Sequence, residues 1–151
     1  MNESSIVVCE KTGKWAAAIR RVLRPACGVC ETRSWPACLR ELQIRTTALA
    51  AVEVLPESAE SVCRRLAEFH GRFRPWHVIL LADRSLQGVE WLLREAGAAH
   101  VLFAPRDIVR LRPVWERFLA QIPPSHATFR EHVRSQLPWA RQASGDEWTQ
   151  A

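Results

Sequence analysis

The sequence is poor in the features that usually mark an enzyme. There is no glycine-rich phosphate loop, since Thr12-Gly13-Lys14 lacks the surrounding glycines of a P-loop, and no Gly-x-Ser-x-Gly turn raises a serine nucleophile. No second cysteine and histidine cluster joins Cys27 and Cys30. Cys38 and the scattered His70, His77, His100, His126 and His132 therefore do not compose the closed four-ligand set of a zinc site. No apolar run approaches the roughly 20 residues that cross a bilayer. Met1 to Ser5 carries no basic residue and only Ile6 to Cys9 follow as an apolar run, so a signal peptide is not expected. Lysine is scarce, with Lys11 and Lys14 the only ones, and internal repeats are lacking.

The chain is well supplied with core and with arginine. Its 151 residues, 48% hydrophobic and 25% charged, have room for one α/β domain and a short tail. The formal charge of +5 and pI near 9.4 rest almost wholly on arginine. Such a balance permits nucleic-acid contact, but the arginines are spread over every helical pattern and mixed with glutamates, so solvated helix faces are the favoured reading. Five cysteines, an odd number without a secretory signal, point to free thiols in a reducing cytoplasm. Cys9, Cys30 and Cys63 sit within apolar or helical patterns, where cysteine is simply a small core residue.

Strands and helices alternate along the chain. Ile6 to Cys9 reads as a buried strand, Lys14 to Leu23 as a helix, Gly28 to Arg33 as a second strand, and Ser34 as the N-cap of a helix to about Leu42. Thr47 to Leu55 is apolar on both faces, as a central parallel strand requires. From Ser58 the positions Val62, Leu66, Phe69 and Phe73 define an amphipathic helix. His77 to Ala82 is a fourth strand and Leu86 to Ala96 a fourth helix, stopped by Gly97. His77 and His100 each open a strand and are expected to be satisfied structural groups. A fifth helix occupies about Asp107 to Gln121, kinked at Pro113 or beginning near Arg112. Five strands alternating with five helices predict a doubly wound parallel sheet with helices on both faces, flavodoxin-like, in the order 2-1-3-4-5. The domain is expected over 5–122. Residues 123–151 form a polar tail with a marginal helix at Phe129, Val133 and Leu137.

The segment Gly97-Ala98, then Ala104-Pro105 seven residues on, carries a resemblance. It resembles the receiver domains of two-component response regulators, whose fifth strand runs Gly-Ala, then an apolar position, then Lys-Pro. Glycine, alanine and Pro105 fall in register while the lysine becomes Ala104 and the aromatic switch position becomes Val101. The resemblance implies a site at the carboxyl ends of the strands. There the family's Mg²⁺-holding acidic pair falls on Cys9 and Glu10, its phosphoacceptor aspartate on or beside Glu53, and its hydroxyl residue on Ala82, or on Leu81 if the register slips by one. Mg²⁺ needs several oxygen ligands and phosphoryl transfer needs charge neutralisation, so control by aspartyl phosphorylation is not expected, nor any metal or cofactor. Glu53 reads either as a standing imitation of a phosphorylated aspartate or, preferably, as a carboxylate solvated or paired with Arg84 or Arg106.

Two further constellations stand out in the sequence. Cys27-Gly28-Val29-Cys30 has redox spacing, yet the pair leads into a strand and lacks the helix N-terminus that activates such thiols. Trp15, Trp91 and Trp115 fall on helices, and Trp139 and Trp148 in the tail. The resemblance makes the face of helix 4, strand 5 and helix 5 the partner or self-association surface, with Trp91, Arg94, Arg110, Trp115 and Arg117 on it and Trp139 as a tail anchor. The resulting expectation is a non-catalytic, cytoplasmic bacterial protein acting through protein–protein contact. The alternatives are a nucleic-acid-associated regulator and a thiol redox protein using Cys27 and Cys30.

Overall fold

A computed structural model describes residues 4–23, 27–45, 47–70 and 77–122. The tail over 123–151, with Trp139 and Trp148, lies outside the described residues, as does Phe73. By contact the chain divides into two units, 1–119 and 120–151, and of the second only residues 120–122, the close of the last helix, are described.

The first unit is a five-stranded, all-parallel sheet in the order β2-β1-β3-β4-β5, the flavodoxin-like arrangement. Its strands are β1 (Ser5–Cys9), β2 (Gly28–Thr32), β3 (Ala48–Val54), β4 (Val78–Ala82) and β5 (His100–Leu102). Its helices are α1 (Lys14–Leu23), α2 (Trp35–Ile44), α3 (Ala59–His70), α4 (Glu90–Glu95) and α5 (Leu111–Gln121). The central strands are apolar on both sides because both sides are covered. Val7, Ala50, Val52, Val54, Val78 and Leu80 pack with Cys38, Leu42, Val62, Leu66 and Leu93 of α2, α3 and α4. Side chains alternate along a strand, so Ile6, Val8, Leu49, Ala51, Ile79 and Leu81 face the opposite layer, and all are buried. That layer holds Trp15 and Ile19 of α1 and Leu111 and Trp115 of α5, and the Arg112 guanidinium on α5 donates to the Val22 carbonyl on α1 at 2.8 Å. Each fully buried aliphatic side chain contributes roughly 1.5–3 kcal/mol relative to exposure.

Local signals account for most of the boundaries. Ser34 caps α2 by accepting from the Ala37 amide at 3.4 Å, with Pro36 tolerated in the first turn. Gly97, at φ +116°, ends α4 in a Schellman motif: its amide donates to the Arg94 carbonyl at 2.9 Å and that of Ala98 to the Leu93 carbonyl at 3.3 Å.

Two helices depart from their expected form. The span read as one fourth helix divides into a 3-10 helix, Arg84–Val89, and the six-residue α4. Asp83 starts this turn by accepting from both the amide and the hydroxyl of Ser85, and Gly88, a poor helix former, interrupts its interior. Likewise Pro105–Arg110 is 3-10, and α5 begins at Leu111. Pro113 thus stands in the first turn, where its missing amide costs nothing.

Candidate functional site

Parallel β topology brings the carboxyl ends of β1, β3, β4 and β5 to one edge of the sheet, and a cleft of about 270 Å³ opens there. Glu53, Leu81, Ala82, Ala104 and Pro105 line it, together with Lys14, Trp15, Asp83, Arg84 and Phe103. The parallel register sets Glu53 beside Leu81 and Val54 beside Ala82, so both candidate hydroxyl positions of β4 reach the cleft carrying apolar side chains. Cys9 and Glu10 do not line it.

Glu10 is withdrawn because the helix beside it needs a cap. The residue before α1 is Gly13, at φ +83°, which has no side chain to offer the orphan amides of the first turn. Glu10 meets that need from outside the helix. Its two carboxylate oxygens accept from the Trp15 amide at 2.9 Å and the Ala16 amide at 2.7 Å, and the residue is 2% exposed. The negative charge also sits at the favourable end of the α1 dipole. On the outer side, the Arg33 guanidinium donates to the Glu10 carbonyl at 3.2 Å and to Glu31 at 3.0 Å.

Glu53 is engaged as well, although not by the arginines expected. Its side chain, 6% exposed, accepts from the Lys11 amide at 2.9 Å and lies 3.8 Å from the Lys14 ammonium. Arg84 and Arg106 form no ion pair with it among the described residues. Distance along the chain hid this pairing, because the cation comes from the start of α1 and not from the loops beside β4 and β5. Lys14 also lowers Asp83, whose carboxyl is held below its ordinary value chiefly by hydrogen bonds from Ser85. One ammonium therefore faces two carboxylates at the cleft. Among the described residues, no group of three or more histidine, cysteine or acidic side chains could hold a metal ion.

The remaining candidates are distributed unevenly. Trp115 is 2% exposed and stacks at a tilt on Phe118, 5.5 Å between centroids, so it belongs to the core and not to the partner surface. Trp91 on α4 is 65% exposed. Arg94 pairs with Glu90 one turn away at 2.7 Å, while Arg110 and Arg117 are exposed. Of the large apolar side chains that stand exposed among the described residues, Val89, Trp91, Leu92 and Val109 lie on the segments flanking β5, and Ile44 lies elsewhere. Val109 is a surface member that the sequence reading missed. Its signal was the apolar pair Ile108-Val109, of which only one residue can face inward on a 3-10 turn.

Five of the thirteen arginines among the described residues stand in ion pairs with glutamates. Arg20 and Arg33 meet Glu31, Arg45 meets Glu41, Arg64 meets Glu60, and Arg94 meets Glu90. No helix among the described residues is long and apolar enough to cross a membrane. The histidines at the strand starts differ. His77 meets the Phe118 ring edge-on, whereas His100 is not the satisfied group expected: its Nε2 is buried without a hydrogen-bond partner among the described residues, and burial, with Arg94, lowers its pKa.

The Cys27 to Cys30 motif does not form a redox pair. Residues three apart in extended chain are separated by about 10 Å between α-carbons, beyond the roughly 7 Å that a disulfide spans. The Cys27 thiol donates to the Gly28 carbonyl at 3.2 Å, and burial pushes it up to about 11. Cys30 lies against Glu41 and Arg45, and burial raises it too. Neither thiol is activated.

No protein-family model and no curated protein matches the sequence. Solved structures match the fold. A CheY-like protein, tadZ, from Pseudomonas aeruginosa PAO1 aligns with a TM-score of 0.63 at 15% identity, over 82% of this chain and 98% of that one. HP1043, an orphan response regulator of H. pylori, aligns at 0.56 and 22%, over 78% and 98%. A putative response regulator from Chloroflexus aurantiacus J-10-fl aligns at 0.58 and 19%, over 78% and 98%. The chain has a receiver-like fold.

Proposed function

We propose that this chain is a receiver-like signalling or scaffold domain of the bacterial cytoplasm that acts by binding protein, its own copies included, without control by aspartyl phosphorylation. The observation that carries this reading is the commitment of Glu10 and Glu53, the two carboxylates at the acidic positions that the resemblance assigns. Glu10 caps α1 through the Trp15 and Ala16 amides, and Glu53 is held by the Lys11 amide and Lys14. A phosphoryl group or Mg²⁺ at Glu53 would have to displace these partners, and the Lys14 ammonium already faces that carboxylate. The apolar set at Val89, Trp91, Leu92 and Val109 supports a contact surface on the segments flanking β5. The five arginines paired with glutamates, Arg20, Arg33, Arg45, Arg64 and Arg94, are withdrawn from a nucleic-acid surface.

The test is incubation of the full chain with acetyl phosphate and Mg²⁺, followed by intact mass measurement. An unchanged mass is expected. A gain of one phosphoryl group on Glu53 or on any aspartate would overturn the proposal. The surface is tested separately by sedimentation over a concentration range: association that disappears in Trp91→Ala supports this face, and association that survives the substitution moves the contact elsewhere.

A further inference from the structure

Three thiols distant in sequence meet between the sheet and α2. The parallel register sets Cys9 beside Thr32 and Val7 beside Cys30. Because side chains alternate, Cys9, Cys30 and Thr32 project from the same face. Cys38, on the inward side of α2, packs with Val7 in the core cluster against which Cys9 and Cys30 lie. The three differ in access: Cys38 is fully buried, while Cys9, the last residue of β1, is partly open.

The Cys9 and Cys38 side chains are hydrogen-bonded to one another. This bond lowers Cys9, and together with burial it raises Cys38. Thr32 is not the main support, since its single hydroxyl proton goes to the Val8 carbonyl at 3.0 Å. Of the charged groups that act on Cys9, Glu53 disfavours the thiolate and Arg65 favours it, and both effects are smaller than the bond from Cys38. A partly exposed sulfur that carries the charge, next to a buried thiol that keeps its proton, is the arrangement of an attacking and a resolving cysteine.

We propose that Cys9 and Cys38 form a peroxide-responsive dithiol, with Cys9 as the sulfur oxidised first and Cys38 as the one that closes the bridge. The Cys9 thiolate attacks one oxygen of a hydroperoxide, the O–O bond breaks, and the departing oxygen leaves as water or alcohol after taking a proton. Cys9 becomes a sulfenic acid. Cys38 then gives up its proton and attacks the Cys9 sulfur, forming the S–S bond and expelling hydroxide, which that proton converts to water. For hydrogen peroxide the sum is two thiols and one peroxide giving one disulfide and two waters, with two electrons passing from sulfur to oxygen. The bridge would tie the end of β1 to α2, beside the cleft but outside its lining, and it is independent of how the β5 flank is used.

The experiment uses the reduced full chain, treated with a small molar excess of hydrogen peroxide, alkylated, and mapped by peptide mass. The expected product is a Cys9 to Cys38 disulfide, with the intact mass lower by two hydrogens. In Cys38→Ser, Cys9 should stop at the sulfenic acid and be trapped by dimedone. In Cys9→Ser, Cys38 should stay reduced at the same peroxide dose. The proposal fails if the wild-type map shows all five thiols still reduced, or a bridge from Cys9 to Cys30 or between Cys27 and Cys30 instead. It fails equally if Cys9→Ser loses its Cys38 thiol as fast as wild type. The wild-type map needs no variant, so a substitution that disturbs folding leaves the test intact.

Discussion

The α1 and α5 layer and the segments flanking β5 belong to one receiver-like fold, yet they treat their polar and apolar groups in opposite ways. In the first, a carboxylate is drawn inward to cap a helix, and Trp115 is buried beside Phe118. In the second, two helical spans shorten into 3-10 turns, and Trp91, Leu92 and Val109 are left facing water. Groups inside the first region are spent on stability, whereas the exposed apolar surface of the second contributes little to it. At the sheet's edge Glu10 and Glu53 hold helix and loop amides, whereas exposed apolar side chains gather at the β5 flank.

The contrast predicts a graded series of effects on folding. Trp115→Ala should cost the most, about 3–5 kcal/mol in urea unfolding, because it opens a cavity in the packed layer. Glu10→Ala should follow at about 2–4 kcal/mol, since two buried amides lose their acceptor, and Glu10→Gln should recover part of that loss. A loss for Glu10→Ala below about 0.5 kcal/mol, the range of ordinary surface changes, would show the carboxylate free for other work.

His100 should have a smaller effect, confined to acid conditions. Its folded-state pKa lies below the unfolded value near 6.5, so the unfolded chain binds the proton more readily. Its contribution to stability is therefore complete above pH 6.5 and is lost as the pH falls through the folded value. Unfolding curves of wild type and His100→Gln should run parallel in pH above 6.5 and diverge below it. Parallel curves throughout would mean that the ring is solvated in the native state. Trp91→Ala should change stability least, by under about 0.5 kcal/mol, while weakening association in sedimentation. A large stability loss there would erase the distinction between the two regions.

Much of this architecture was legible in the chain. The β-branched and apolar runs at Ile6 to Cys9, Thr47 to Leu55 and His77 to Ala82 appear as strands because a parallel sheet covered on both faces needs continuous apolar segments. Gly97 marked a helix end because only a residue tolerant of positive φ completes the Schellman turn. Less of the site could be read. The link from Glu53 to Lys14 spans 39 positions of sequence, and that from Glu10 to the α1 amides depends on a glycine leaving the cap vacant. The Cys27 to Cys30 spacing suggested a pair that extended backbone forbids, while the thiols bonded to one another, Cys9 and Cys38, stand on β1 and α2.

Local periodicity and turn chemistry by themselves determined the alternation of strands and helices, and that alternation, with right-handed crossovers, determined a doubly wound parallel sheet. Only tertiary structure decided which carboxylate found which donor, which tryptophan turned inward and which cysteines became neighbours. The physical reason is one of range. A hydrophobic period constrains side chains a turn or a pleat apart, whereas a partner across the sheet is chosen by strand register and by which side of each helix is buried.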